Sequence, residues 1–456
     1  MSRFFAVACL LLLLVACAQE NTPDLVEEVV PTATLEPTPT AATAVSGTLV
    51  VQPDISKGTI NPHVYGTNYG PWITVPMGVM EDYLNSGITF IRFPGGNWGD
   101  TNTIRDYQLD QFIDLADMID ADVSISTNLL EGTPEQAAEL VRYANVENDY
   151  NIQYWSIGNE PNLFPESRGA DEYLDTDFYN ARWREYAEAM KAVDPDIILI
   201  GPDTNQFRAD ESTNPKDAQG RDWLRQFLKA NGDMVDIVAV HRYPFPQNPS
   251  DGPPSFEELR DNSAEWDDLV PALRNLVIEE TGQDLPLAIM EFNSNWSSAA
   301  GSETTPDSFY NAIWLADALG RIIDNDIDMV AQFALQHNTN GWGLLDRSEV
   351  RPSYYVYQLY KRFGTEQIHA DTAVPYVSIL AAKADDGIVT IMLINRDKPD
   401  VSVPLTIENF TPTSNELWRF DQEHNAENLG AVDWENGGEI SLPGQSISLL
   451  ILAPSP

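Results

Sequence analysis

Two glutamates stand out because each ends an apolar run. Glu160 lies in Gly158-Asn159-Glu160-Pro161, directly after Ile152-Gln-Tyr-Trp-Ser-Ile157, and Glu291 directly follows Leu287-Ala-Ile-Met290. A carboxylate leaving a buried strand must find polar surroundings, and two of them facing one another are the equipment for displacement at an acetal carbon. One attacks the carbon while the other protonates the departing oxygen, so the two need different proton affinities at one pH. Glu291 is expected to be the catalytic nucleophile, kept ionised by Arg92. Glu160 is expected to be the catalytic acid/base, with Asn159 and aromatic surroundings disfavouring its anion. Retention at the carbon would require their oxygens to lie about 5 to 5.5 Å apart.

Something must bring these side chains together, and the chain between them alternates short β-rich runs with helical patterns. Eight such runs are legible: 64–68, 88–92, 123–127, 152–157, 197–200, 237–240, 287–290 and 329–333. The segments between them carry apolar stripes at helical spacing, such as Phe112, Leu115, Ala116 and Ile119, or Trp183, Tyr186, Ala187 and Met190. The predicted fold class is therefore α/β, a (β/α)₈ TIM barrel over 47–365 with a small C-terminal all-β sandwich over 366–456. A doubly wound sheet is the competing architecture, but no glycine-rich phosphate turn follows an early strand. The strand 47–53 is expected to join the sandwich, whose own strands include 377–380, 389–394 and 447–451.

Catalytic side chains of such barrels stand at the C-terminal ends of the strands. Those ends supply the expected substrate-binding residues Arg92, Asn97, Asn128, Asn159, His241 and Tyr243 beside the two glutamates, with Trp342 from Asn340-Gly-Trp-Gly343 as a stacking platform. Trp72, Trp98 and Trp296 are further aromatic candidates, and Gly95 and Gly96 read as turn formers. The five histidines show no ligand spacing, so neither a metal nor any other cofactor is expected.

Arg3 followed by an apolar run to Ala16 and then Cys17 reads as a lipoprotein signal peptide, 1–16, with Cys17 the lipidated residue. A Pro/Thr-rich disordered tether, 17–46, would follow and add nothing to the fold. Cys9 and Cys17 are the only cysteines, so the exported chain would hold its fold by core burial without a disulfide. The expected location is the outer face of a bacterial membrane or the medium, with the lipid as the membrane contact. A net charge of -44, from 70 acidic and 26 basic residues spread along the chain, excludes nucleic acid as a partner and favours a neutral sugar over a polyanion, unless a local basic pocket overrules the average.

Tyr154-Trp-Ser-Ile-Gly-Asn-Glu-Pro161 resembles the acid/base motif of glycoside hydrolase clan A, and Ile289-Met-Glu-Phe-Asn293 resembles its nucleophile strand. The resemblance spans the barrel, with Arg92, His241, Tyr243 and Trp342 falling where that clan has its active-site Arg, His, Tyr and final-strand Trp. Within the clan, Arg92-Phe-Pro-Gly-Gly-Asn97 and the Asn-Glu-Pro stretch are most similar to the family 51 α-L-arabinofuranosidases, which also carry a C-terminal β-sandwich. That likeness implies that Asn159 bonds a sugar 2-hydroxyl and that Tyr243 lies near the nucleophile. The opening strand lacks the acidic residue usual in that family, and Glu291-Phe-Asn-Ser294 is similar instead to family 39 β-xylosidases. The implied activity is retaining hydrolysis of a neutral plant-type oligo- or polysaccharide. An α-L-arabinofuranosidase comes first, a β-xylosidase or endo-glucanase/xylanase second, and a non-catalytic glycan-binding lipoprotein is the alternative of another class.

Overall fold

A computed structural model describes residues 41–297, 299–337 and 341–455. The predicted leader, Cys17 and the tether as far as residue 40 lie outside the described residues, as does Asn340.

Strand β1 (Leu49–Thr59) precedes eight strands that close, in chain order, into a parallel barrel. These are β2 (Gly66–Asn68), β3 (Phe90–Phe93), β4 (Asp122–Thr127), β5 (Tyr154–Ile157), β6 (Ile198–Thr204), β7 (Ile237–Arg242), β8 (Leu287–Phe292) and β9 (Met329–Gln332). Each corresponds to one of the eight runs legible in the sequence. The seam is closed by Gly66 opposite Ala331. Parallel strands covered on both faces need apolar residues at nearly every position, which is why the runs were continuous rather than alternating. Phe90, Ile200, Ala239, Ala288, Met290 and Ala331 fill the barrel interior, while their neighbours Ile91, Leu199, Val240, Ile289 and Val330 pack outward into the main core.

Two strands break this alternation near the upper rim. In β6, Pro202 pairs with Ala239 and Thr204 with Val240, so Asp203 is an extra residue, held at φ +55°. In β8, Ile289 pairs with Val240 and Glu291 with His241, which inserts one residue there as well. Met290 faces the interior and Phe292 the outer core, so a regular strand would turn residue 291 outward. A bulge is the local device that re-aims such a side chain.

The remaining strands are β10 (Glu366–Thr372), β11 (Val377–Lys383), β12 (Val389–Asn395), β13 (Val401–Ile407), β14 (Ser414–Phe420), β15 (Asn425–Gly430), β16 (Glu439–Leu442) and β17 (Ser446–Ala453). With β1 they form one hydrogen-bonded run, β15-β14-β17-β12-β11-β10-β1-β13-β16, so the predicted sandwich is a single mostly antiparallel sheet. Val389, Ile391 and Leu393 of β12 share a core with Leu405, Leu442 and Leu450. Met392 and Ile394, on the other face, pack with the barrel's helices. The helix Phe309–Asp324 packs against both the barrel and the sheet and is buried almost all round, so apolar residues occupy nearly every position rather than one stripe.

The tether was expected to end at 46 without touching the fold. Its last residues do touch it: the Ala44 amide donates to Asp371 Oδ2 at 2.8 Å, and Ala42 bonds to both Gln52 and His369. These polar side chains of β1 and β10 offer partners to backbone groups on a stretch whose few small apolar residues show no period to signal it.

Candidate active site

Glu160 owes its position to a turn that few residues could make. Gly158 sits at φ +82°, where a Cβ would also strike the Leu129 side chain at 2.9 Å. Glu160 itself is left-handed, at φ 46° and ψ 51°, and its amide donates to the Asp203 carbonyl at 3.0 Å. Such a conformation in a non-glycine residue costs about 1–3 kcal/mol and persists where the surroundings fix it. Its Oε1 accepts from Asn205 Nδ2 at 2.6 Å and lies 3.1 Å from His241 Nδ1.

Glu291 is held at both oxygens. The Tyr243 hydroxyl donates to Oε1 at 2.7 Å and Arg92 Nη1 to Oε2 at 3.2 Å, with His241 Nδ1 at 3.8 Å from the latter. One oxygen of each glutamate and a ring nitrogen of His241 all lie within 4.8 Å of one another. Beneath them Asp203 is fully buried, with Oδ1 at 3.4 Å from His241 Nε2 and Oδ2 at 3.9 Å from Arg92 Nη2.

This is a largely buried charged cluster, so its balance is set mainly by its own members. Burial works against a proton on His241. The hydrogen bonds to Asp203 and Glu160 and the charge of Glu291 outweigh it and raise the ring to about 9, so it is an imidazolium at neutral pH. Burial opposes ionisation of Asp203 too, yet Arg92 and His241 hold its carboxyl below the ordinary value. Glu291 was expected to be an easily ionised nucleophile. Burial instead raises its carboxyl above the usual range, helped by Glu160 and opposed by His241, Arg92 and Tyr243.

The structure brings Glu160, Glu291, Arg92, Asn97, Asn159, His241, Tyr243 and Trp342 to one mouth, but not all to its surface. Glu160, Glu291, Asn97, Tyr243 and Trp342 line a cavity of about 660 Å³, with Trp296 and Phe333. Arg92 and His241 are completely buried below it; His241 was expected to touch substrate and instead bridges the carboxylates. Asn159 does not face Glu160. Its Oδ1 accepts from Arg92 at 2.7 Å and its amide donates to Asn97 at 3.0 Å, while its backbone N–H donates to buried Asp100 at 3.1 Å.

Asn128 is elsewhere. Its Oδ1 accepts from the amides of Glu131 and Gly132, closing the turn after β4, and it lines a separate cavity. Trp342 is also not on the final strand: β9 ends at Gln332, Phe333 follows, and Trp342 returns from the next loop with its Nε1 on the Asn295 carbonyl at 2.7 Å. Its ring meets Phe333 edge-on at 5.8 Å. Sequence reading passed over Asp203 and Asn205, although both are polar residues at the end of the apolar run 197–200. It also gave no role to Asn68, whose Oδ1 accepts from Arg92 at 3.0 Å and whose amide ties β2 to the Ala331 carbonyl.

Among the described residues Glu160, His241 and Glu291 form the one group with metal-ligand spacing. A protonated His241 has no lone pair to give, and Arg92 already occupies Glu291, so the trio is suited to moving protons rather than holding a cation.

The site is thus a pair of buried carboxylates at the C-terminal mouth of a closed parallel barrel. No protein-family model matches the chain. The intracellular exo-α-(1→5)-L-arabinofuranosidase of Halalkalibacterium halodurans is 26% identical over 194 residues, 34% of this chain and 36% of that protein, so this match spans about a third of the relative. The intracellular exo-α-L-arabinofuranosidase of Bacteroides ovatus is 20% identical over 441 residues, 77% of this chain and 82% of that one. The crystal structure of an α-L-arabinofuranosidase from Thermotoga maritima in complex with arabinose shares the fold at TM-score 0.71 and 17% identity, covering 89% of this chain and 99% of that one. The chain therefore shares its fold with an α-L-arabinofuranosidase structure and has α-L-arabinofuranosidases among its relatives.

Proposed function

We propose that this chain is a retaining α-L-arabinofuranosidase acting on plant-type glycans, with Glu291 as nucleophile and Glu160 as general acid/base. The observation that carries the reading is the approach of the two carboxylates to within 4.8 Å. That is near the separation of about 5–5.5 Å used for direct attack, and short of the roughly 6.5–9.5 Å that would admit a water between carboxylate and sugar.

In this scheme a Glu291 oxygen attacks the anomeric carbon from one face while Glu160 gives its proton to the departing glycosidic oxygen on the other. Arg92 and Tyr243 keep the nucleophile aimed, and they offset part of the cost that burial sets on its charge. The glycosyl ester that forms removes the charge of Glu291. Glu160, now ionised, takes a proton from water, the hydroxide attacks the same carbon, and Glu291 leaves as the carboxylate. Trp342, Trp296 and Phe333 supply apolar surface against the sugar's faces. Asn97, held by Asn159, is placed to meet a sugar hydroxyl.

The test is hydrolysis of para-nitrophenyl α-L-arabinofuranoside beside the β-D-xylopyranoside, with the first-formed sugar anomer read by proton NMR. Retained α-arabinose is expected. An inverted product, or cleavage of the xyloside alone, overturns the reading. The leader and Cys17 further support export and lipid anchoring, unlike the two relatives named intracellular. A Cys17→Ala chain is then expected in the soluble rather than the membrane fraction.

A further inference from the structure

The wall of the cavity on the Glu160 side is built by the loops after β5 and β6, which supply Leu163, Glu166 and Ser167, then Gln206 and Arg208. Arg208 is the only lysine or arginine among the cavity's lining residues. Among the described residues its guanidinium makes one hydrogen bond, a long one of 3.5 Å from Nη1 to the Thr213 carbonyl. Glu265, the carboxylate whose charge favours its cation, is already taken by Arg242, at 3.0 Å through Nε and 2.5 Å through Nη2. Arg242 also spends Nη1 on Gln206 Oε1 at 3.1 Å.

Arg208 is thus half-buried beside a second arginine with no anion of its own. Burial first, and the repulsion of Arg242 second, lower its proton affinity. In a chain with 70 acidic residues a counter-ion would be easy to supply, yet among the described residues this guanidinium on the cavity wall makes no ion pair, which leaves it able to take a carboxylate from a ligand. The overall charge of -44 repels anions from a distance, but screening confines that field to about 8–10 Å in physiological salt, and a guanidinium in contact dominates inside the cavity.

We propose that Arg208 forms a leaving-group subsite for a carboxylate, so that the preferred substrates carry an acid, a hexuronate or an aromatic carboxylate, on the side of the glycosidic bond that Glu160 protonates. This rests on the reading of Glu160 as the acid, since the departing group must lie on its side. The sugar removed remains neutral. Glu166, exposed on the same wall, opposes the acid.

The full chain is assayed on the para-carboxyphenyl arabinofuranoside and on its methyl ester, which differ by one charge. A second pair is an arabinosylated oligosaccharide with a hexuronate next to the cleaved bond and the same compound with that carboxyl reduced. The acid is expected to exceed the ester in kcat/KM by about tenfold, the scale of one charge-assisted hydrogen bond. Arg208→Gln brings the ratio to about one, Arg208→Lys restores part of it, and Glu166→Gln raises it severalfold. Each ratio is taken within one preparation, so partial misfolding of a variant cancels. A preference in both pairs assigns the hexuronate as well as the aromatic acid; a preference in the aryl pair alone assigns the aromatic acid. An acid-to-ester ratio of one in the native protein, or a high ratio that survives Arg208→Gln, overturns the proposal. If neither member of any pair is cleaved, it is the assignment of the activity that fails.

Discussion

Asp203→Asn removes a buried negative charge from between Arg92 and His241 while keeping its shape. At the observed 3.4 Å between Oδ1 and Nε2, the attraction to the imidazolium is about 5 kcal/mol at an effective dielectric near 20. That is an upper figure, since burial of the pair offsets part of it. With about 1.4 kcal/mol per tenfold change in proton affinity, losing even half of it carries His241 from about 9 down toward neutral pH. Arg92, 3.9 Å from Asp203 Oδ2, is then less compensated and pushes in the same direction. The raised affinity of His241 stabilises the native protein fully below about 6.5, and this contribution is lost as pH rises through about 9. In the variant the loss sets in lower. The assay is NMR titration of the His241 ring, whose midpoint is expected to move down by about two pH units. A ring titration unchanged in a folded variant refutes the idea that Asp203 keeps His241 charged.

Glu160→Ala is expected to lower kcat on natural glycosides by about 10²–10⁴ and much less on activated aryl glycosides, with azide restoring turnover as a glycosyl azide of retained configuration. Glu291→Gln abolishes hydrolysis yet raises Tm, because burial makes the charge of Glu291 costly. A raised carboxyl contributes stability below its ordinary value of 4.5 that is lost as pH rises through the folded value, so the Tm gain should grow upward from pH 4.5 in scanning calorimetry. Asp317 is buried between Arg321 Nε at 3.0 Å and Arg396 Nε at 3.4 Å, joining the helix Phe309–Asp324 to the C-terminal sheet. Asp317→Ala should cost about 3–5 kcal/mol in urea denaturation by stranding Arg396. The native contribution, from a depressed carboxyl, is present above about 3.8 and lost as pH falls through the lower folded value.

The barrel was legible because its strands are buried on both faces and its helices on one, so composition and period carry the same message. The C-terminal sheet was legible where apolar residues run together, as in β12, β17 and the starts of β1 and β11. In β13 and β15 exposed residues such as Ser402, Thr406, Glu427 and Asn428 interrupt the pattern, and these strands were not separated from loops. Strand β1, from the far end of the chain, pairs with both β10 and β13. That it joins this sheet was expected from the run 47–53, but no local pattern says which strands it meets.

The site divides along a different line. Glu160 and Glu291 were found because a carboxylate following an apolar run is anomalous whichever way it points. Asn128 was misplaced for the converse reason, since standing at a strand end does not say which way the loop turns, and its side chain closes its own turn. Asp203 is the harder case. Period-two reasoning assigns faces only while the ladder is regular, and both Asp203 and Glu291 sit where one residue is inserted against β7. The two bulges flank the strand that carries His241, so the ring meets Asp203 from one neighbouring strand and Glu291 from the other. If that symmetry is what tunes the cluster, deleting the inserted residue of β6 should return Thr204 to register and withdraw the charge from beneath His241. The ring titration would then shift as in Asp203→Asn, with an intact barrel by circular dichroism. A deletion variant that folds and keeps the native ring titration would show that the bulge shapes the rim without setting the charge of the ring.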